Sequence, residues 1–381
     1  MRIYNFCFAL DASKGGVPNS IFETTIQLSK HGVKSNIFSS GNTKIQIERN
    51  KVGLNNLVKC GIDFKYSPTR IQNDYGLGSL RKIKKTVTEV SRPDYIILHE
   101  IYTFSTLLGY LFAKKSGIPY AVYPHGSLAS YHESKSRIIK KISKILIINK
   151  ILLEANSIIV TCENERNELD IVLQPKVWVI PFGATIKNQN FNSNTPIRRV
   201  KNDVRIMFSG RFHVVKNLHL LIESIPEVIK FYPNLVLDIA GSGTENETLA
   251  LKKLTQELKL DKHIKFHGWL DKIEIDRLFN STRMLVLPSS YENFALVVSE
   301  ALSAGVPCVV SKFVGTSDII SKHHAGEIIS ELTPEAIAKV VIQVLTGDEH
   351  MYRAAAIKAA REDLEWSKIA LKWKALIMSK R

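Results

Sequence analysis

Residues 284–311 read MLVLPSSYENFALVVSEALSAGVPCVVS, and their pattern decides the architecture. The four apolar residues 284–287 form a short run with no polar face, as in a strand buried on both sides. Pro288-Ser289-Ser290 interrupts it. A helix is predicted over 294–304, stopped by Gly305, with Pro307 just beyond it. Residues 308–311 are a second β-rich run. Strand, helix and strand in close succession form a unit whose two strands lie parallel.

The same alternation extends outward in both directions. Upstream, strands are predicted at 204–208, 235–240 and 263–267, with helices at 218–231, 246–259 and 272–280. Downstream, residues 334–379 read as helical. The first half repeats the scheme. It has strands at 3–10, 33–39, 94–99, 120–123, 157–162 and 177–180, and helices at about 19–31 and 103–116. Residues 41–92 show only weak periodicity. A stretch rich in Asn, Ser, Thr and Pro separates the two blocks at 183–202, and it reads as a linker. The fold class is therefore α/β, with two doubly wound domains, 1–182 and 203–360. Ligands of such sheets bind at the carboxyl ends of strands, and with two domains the expected site is the cleft between them.

Composition narrows the function. The chain has 381 residues, 45% hydrophobic and 23% charged, as in an ordinary globular protein of two domains. No apolar run reaches the length of a membrane span. The apolar start, 3–10, is broken by Asn5 and leads into a glycine loop, so it does not read as a signal peptide. Cysteines 7, 60, 162 and 308 have neither metal-ligand spacing nor a disulfide framework, and buried free thiols in a reducing cytoplasm are expected. The net charge of +16 calls for an anionic partner. Residues 1–190 hold 26 Lys/Arg against 14 Asp/Glu, and residues 191–381 hold 26 against 22, so the excess lies in the first half. A nucleic-acid binder would fit the charge alone. The chain lacks an RNA-recognition signature, a zinc-finger pattern and aromatic residues within its basic runs.

Candidate site residues follow strand ends. Gly15-Gly16 opens a helix after the first strand, and is either a phosphate cradle or an ordinary tight turn. Ser209-Gly210-Arg211 with Lys216 places two cations just past a strand, as a diphosphate clamp or as a solvated basic loop. Glu292 precedes the helix that carries Glu300. If the intervening chain were helical, the two would lie roughly 12 Å apart, about the length of a nucleotide sugar from hexose to ribose. His125, within Pro124-His125-Gly126, offers a hydrogen bond or a proton. There is no Asp-x-Asp pair for a metal on a diphosphate, no GxSxG and no HExxH. His323-His324 has no obvious carboxylate partner and reads as a solvated loop.

Taken in order, Phe208-Ser209-Gly210-Arg211 with Lys216, Ala240-Gly241-Ser242-Gly243, His267-Gly268, Pro288 to Ala295, and Glu300 to Pro307 resemble the signature of family 4 glycosyltransferases. The first half resembles the family more loosely, through Gly15-Gly16, Pro124-His125-Gly126 and Ile180-Pro181-Phe182-Gly183. The resemblance implies a GT-B fold, with an acceptor-side domain first, a donor-side domain second, and a helix at 361–381 that packs back on the first domain. It implies that Arg211 and Lys216 bind the donor diphosphate, that Glu300 holds the ribose and that Glu292 contacts the transferred sugar. Gly210, Asn293, Phe294 and Ala295 would line the donor, Gly15 and Gly16 would meet the diphosphate, and His125 would face the reacting sugar. Asn293 and Ala295 stand where glycine is frequent in the family, and Phe182 where asparagine is.

The activity so implied is hexosyl transfer, with retention, from a UDP- or GDP-linked sugar to a glycan or lipid-linked acceptor of cell-surface polysaccharide or lipopolysaccharide synthesis. No cofactor and no metal are expected. A nucleotide-sugar epimerase on the same fold is the second enzymatic reading, which the Glu292/Glu300 spacing with Arg211 and Lys216 disfavours. Residues 134–150 carry six Lys/Arg among Ile and Leu. At helical spacing they suit an anionic membrane surface, or form an ordinary surface helix with its apolar side in the core. The expected location is the cytoplasm, peripheral on the inner face of the membrane.

Overall fold

The computed structural model describes residues 1–8, 16–39, 62–66, 91–128, 147–186 and 204–379. The chain divides into two compact units. Met1–Pro181 with Trp366–Arg381 form the first, and Phe182–Glu365 the second.

The first unit is built on a parallel sheet of seven strands, in the order β3-β2-β1-β4-β5-β6-β7. These are β1 (Arg2–Cys7), β2 (Lys34–Ser39), β3 (Asp63–Tyr66), β4 (Tyr95–His99), β5 (Tyr120–Tyr123), β6 (Ser157–Val160) and β7 (Val177–Val179). Every residue of β4 and β5 is buried, which is why both runs lack a polar face. Helix Phe104–Ser116 is capped by the Thr103 hydroxyl, which accepts the Thr106 N–H, and ends at left-handed Gly117. Gly109 lets this helix lie close on the sheet, since a Cβ there would fall 2.4 Å from Leu98 Cδ2 and 2.8 Å from Phe6 Cγ. The helix Trp366–Met378 packs against Gly16–Lys30, and its Trp373 ring lies 5.7 Å from that of Tyr123.

The second unit has six parallel strands in the order β10-β9-β8-β11-β12-β13. They are β8 (Val204–Ser209), β9 (Leu235–Ala240), β10 (Ile264–Gly268), β11 (Met284–Leu287), β12 (Cys308–Ser311) and β13 (Gly326–Ile329). Asp238, fully buried on β9, accepts hydrogen bonds from Arg205 on β8 and shares a 2.7 Å contact with His267 on β10. Three adjacent strands are thereby tied by one carboxylate. In each sheet the strand order reverses once, between β1 and β4 and between β8 and β11. These switch points are where a doubly wound sheet opens a crevice for ligand.

Several expectations need correction. The first helix begins at Gly16 rather than near 19. Pro18 falls in its first turn, where a missing N–H costs nothing. The helix expected from 294 begins at Leu296, so the stretch between Glu292 and Glu300 is only partly helical and the helical rise does not give their separation. The tail resolves into helices Pro334–Thr346, Glu349–Ala359 and Trp366–Met378, with a π turn at Ala360–Leu364. The returning segment starts at Trp366 rather than 361. Of the expected linker, Ala184 bridges to Glu365 inside the second unit, and 187–203 lie outside the described residues. His323 is not solvated. It is buried with Nε2 2.7 Å from Asp363 and Nδ1 3.8 Å from Glu362, partners forty residues away that the sequence does not announce. Cys7, Cys162 and Cys308 are buried free thiols, and Cys60 lies outside the described residues. Strand β3 falls within 41–92, where no pattern was legible. Most of the basic stretch 134–150 is likewise outside the described residues. Among the described residues no helix is long and apolar enough to cross a membrane.

Candidate active site

In the second unit, the loops that leave β8, β9, β11 and β12 are laced together. The Gly210 N–H donates to Ala240 O, the Phe212 N–H to Ser242 O and the Gly241 N–H to Gly268 O. Gly241 (φ +140°) permits this approach, since a Cβ there would sit 1.9 Å from Gly210 O. Lys216 closes a single 3-10 turn, Val214–Lys216, capped by the His213 ring. Asn217 then takes a left-handed turn (φ 48°) into helix Leu218–Phe231, a conformation that asparagine tolerates. The Asn217 Nδ2 donates to Pro288 O at 3.0 Å, and the Ser290 N–H to Val215 O at 2.7 Å. On the other side, the Glu292 N–H donates to Phe313 O, and the Gly315 N–H to Glu292 O.

This lacing brings Lys216 Nζ onto Glu292 Oε2. Both side chains are largely buried, at 18% and 22% exposure. Burial, and then the nearby Arg211 guanidinium, push the Lys216 ammonium down to about 8. Arg211 itself is exposed. Phe294 is buried and meets Phe182 edge-on, with centroids 5.1 Å apart. That contact accounts for an aromatic ring at 182. Ala295 has φ 62° and starts helix Leu296–Ser303, which explains why glycine suits that position. Glu300 stands in the second turn of this helix, half-buried, and not in the Lys216–Glu292 contact.

In the first unit, the carboxyl ends of β1, β4 and β5 carry a second cluster. His125 has a left-handed backbone (φ 53°). Its ring stacks on Tyr123 at 3.8 Å and on His99 at 5.3 Å. His125 Nε2 lies 3.0 Å from His99 Nδ1, and His99 Nε2 lies 3.0 Å from Asn5 Oδ1. An amide oxygen only accepts, so His99 carries its proton on Nε2 and His125 carries its own on Nε2, facing His99. Burial holds His99 down at about 3, and burial with His99 beside it holds His125 well below the usual imidazole range. Both rings are neutral at physiological pH, so His125 offers a hydrogen bond and not a stored proton. Beside them, Glu100 also has a left-handed backbone (φ 64°). Its Oε2 accepts the Phe8 N–H at 3.0 Å, and burial lifts its carboxyl to about 7.

The predicted site residues therefore fall into two sets. Arg211, Lys216 and Glu292 come together, with Gly210 and Asn293 to Ala295 adjoining along the chain. His125 belongs to the first unit, as does Gly16, the first residue of its helix. Gly15 lies outside the described residues.

Two family models account for nearly all of this. Residues 191–363 match Glycosyl transferases group 1, and residues 14–187 match Glycosyltransferase Family 4. The chain belongs to the family 4 glycosyltransferases. This glycosyltransferase is 31% identical over 169 residues to the uncharacterized glycosyltransferase MJ1607 of Methanocaldococcus jannaschii, spanning 43% of this chain and 42% of that relative's length. It is 23% identical to the UDP-Gal:alpha-D-GlcNAc-diphosphoundecaprenol alpha-1,3-galactosyltransferase of Escherichia coli, covering 73% of this chain and 74% of the relative. In fold it is similar to Anabaena HepE, solved in complex with UDP and glucose. The TM-score is 0.74, with 15% identity and both chains covered in full. The fold of this family 4 glycosyltransferase is thus GT-B.

Of the residues gathered at these strand ends, the sequence singles out His125 and gives no motif for Asn5, His99 or Glu100. Asn5 looked like an interruption of an apolar strand, and its place inside the sheet, two residues before the strand ends, was the available signal. His99-Glu100 closes a wholly apolar run, and a polar pair at such a strand end was the other.

Proposed function

We propose that the protein is a retaining hexosyltransferase. It moves a sugar from a UDP- or GDP-linked donor to a glycan or lipid-linked acceptor in cell-surface polysaccharide or lipopolysaccharide assembly. The observation that carries this reading is the meeting of Lys216 and Glu292 beside Arg211 at the switch point of the second sheet. A partly buried ammonium with a guanidinium nearby is arranged for the charge that develops on a departing diphosphate. Glu292 would accept hydroxyls of the donor sugar, and Glu300 those of the ribose. Gly210 and the backbone of Asn293, Phe294 and Ala295 would line the donor, with Gly15 and Gly16 against the diphosphate and the neutral His125 facing the reacting sugar.

In the step itself the bond from the anomeric carbon to the diphosphate oxygen breaks. The acceptor oxygen bonds to that carbon on the same face, and the acceptor proton passes to the leaving phosphate. Arg211 and Lys216 stabilise that leaving group without a divalent metal. The E. coli relative, whose acceptor is a diphosphoundecaprenol-linked sugar, supports a lipid-linked acceptor here. The basic excess of the first half supports contact with the anionic inner face of the cytoplasmic membrane.

The test is a thermal-shift panel with UDP, GDP and ADP, each with and without EDTA. One diphosphate is expected to raise Tm, unaffected by EDTA. A shift abolished by EDTA would remove the metal-free clamp, and no shift with any nucleotide would remove the transferase reading.

A further inference from the structure

The first unit contains two non-glycine residues with left-handed backbone among those described, Glu100 and His125. They end adjacent strands, β4 and β5, and the Glu100 N–H donates to Tyr123 O at 2.9 Å. In the second unit four such residues are described. Lys259 and His324 simply end helices, while Asn217 and Ala295 shape the Lys216–Glu292 site. Left-handed backbone persists at non-glycine positions where surrounding structure enforces it, and it gathers at functional sites. The pattern sets Glu100 beside His125 as a counterpart of the donor-side residues.

The Glu100 carboxylate is not consumed by the fold. Oε2 accepts the Phe8 N–H, and Oε1 makes no hydrogen bond among the described residues. The side chain sits at the carboxyl end of β4, next to β1, where the strand order reverses. Beside it at the same strand ends lie the Asn5–His99–His125 chain, whose groups bond to one another with Asn5 and His99 buried, and Tyr123, whose carbonyl accepts the Glu100 N–H.

We propose that the Glu100 carboxylate binds a hydroxyl of the acceptor sugar and so helps to set which acceptor is used. This rests on the transferase reading above. Glu100 is thus a substrate-binding group, and the departing diphosphate remains the base.

The charge state of this site is governed by Glu100. The titratable groups at these strand ends are Cys7 on β1, which feels Glu100, His99 on β4, Tyr123 on β5 with His125 just past it, and Cys162 and Glu165 beyond β6, which act on Tyr123. Burial pushes the Cys7 thiol and the Tyr123 phenol well above their usual ranges, and Cys162 to about 11. His99 and His125 are held neutral. Glu165 is bound by the Gly126 N–H and by the Thr161 N–H and hydroxyl. Glu100 is the group described here that changes charge near neutrality. Acceptor binding therefore weakens as pH falls through about 7, when the carboxylate takes up a proton.

The experiment compares wild type with Glu100→Gln and Glu100→Ala. The probes are the best nucleotide sugar from the thermal-shift panel and a set of octyl α- and β-hexosides as acceptors. Gln keeps an oxygen for the Phe8 N–H, so it separates acceptor binding from a loop tie. Expected for Glu100→Gln are an acceptor KM raised at least tenfold, the worth of a hydrogen bond to a charged group, and an unchanged nucleotide thermal shift. The fall in wild-type acceptor kcat/KM below pH 7 should be absent in this variant. If Glu100→Gln keeps the wild-type acceptor KM within twofold and the same pH profile while Glu100→Ala is impaired, Glu100 is a loop tie and the proposal is overturned. If wild type neither transfers to any hexoside nor responds to any nucleotide, the transferase reading falls, and this assignment with it.

Discussion

Gly241→Ala tests whether the loop lacing holds the Lys216–Glu292 strand ends in place. The added Cβ would lie 1.9 Å from Gly210 O and 2.9 Å from Gly210 C. A carbon–oxygen contact needs about 3.3 Å or more, so the Gly210 peptide must retreat by about 1.4 Å. That movement breaks the 3.0 Å bond from the Gly210 N–H to Ala240 O, costing about 1 kcal/mol. Overpacking adds about 1–3 kcal/mol, and an alanine at φ +140° adds a further 1–2 kcal/mol or so. The sum, about 3–6 kcal/mol, is a large part of a typical stability of roughly 5–15 kcal/mol. At a urea slope of about 2–3 kcal/mol/M, the midpoint should fall by about 1–3 M. Gly268→Ala is the control, since at φ +72° it meets nothing within 4 Å and pays only the backbone term, about 1–2 kcal/mol. The assay is urea unfolding followed by circular dichroism. Because Arg211 follows Gly210 directly, the nucleotide thermal shift should shrink as well. Equal midpoints for Gly241→Ala and Gly268→Ala would refute the argument that close approach, and not backbone strain alone, fixes this glycine.

Lys216→Met should weaken nucleotide diphosphate binding and flatten its pH dependence. In wild type the ammonium is charged below about 8 and binds the anion there, so titration calorimetry should find affinity falling as pH rises beyond that value, by up to about tenfold per unit. A Met variant with the wild-type affinity and slope would remove Lys216 from the diphosphate site. Ala295→Gly relieves a left-handed alanine worth about 1 kcal/mol, against about 0.4–1 kcal/mol of unfolded-state entropy. Thermal unfolding should therefore place it close to wild type, while Ala295→Val falls by at least about 1–2 kcal/mol. The reverse order would mean that Ala295 is not strained.

The second unit was the more legible half of the sequence. Lys216 and Glu292 are 76 residues apart, but each follows a buried strand, and a parallel sheet gathers strand ends on one edge. The same logic drew attention to His125, which lies just past β5. It stopped short at Glu100, because nothing in residue order says that a glutamate at a strand end will be held with its carboxyl half enclosed and its backbone left-handed. Those are properties of the packed β1–β4–β5 edge. Segment boundaries failed for a related reason. Tertiary pairing ties Ala184 to Glu365, across a distance no local pattern covers, and His323 finds Asp363 in the same way. Phe182 looked like a lost polar side chain and is instead half of a buried aromatic pair with Phe294.

Trp373 packs on Tyr123, and Tyr123 stacks on His125, so the first unit is finished by a helix from the far end of the chain. A ribosome that has released Pro181 must still add roughly 180 residues before Trp366 emerges, about 10–40 s at ordinary synthesis rates. Throughout that interval the surfaces that later receive Ile369, Trp373 and Leu376 are uncovered, while the second unit, continuous from Phe182 to Glu365, has all its parts. The unit that is made first is completed last. Its unfinished apolar face is where a nascent chain of this protein is most open to chaperones and to aggregation.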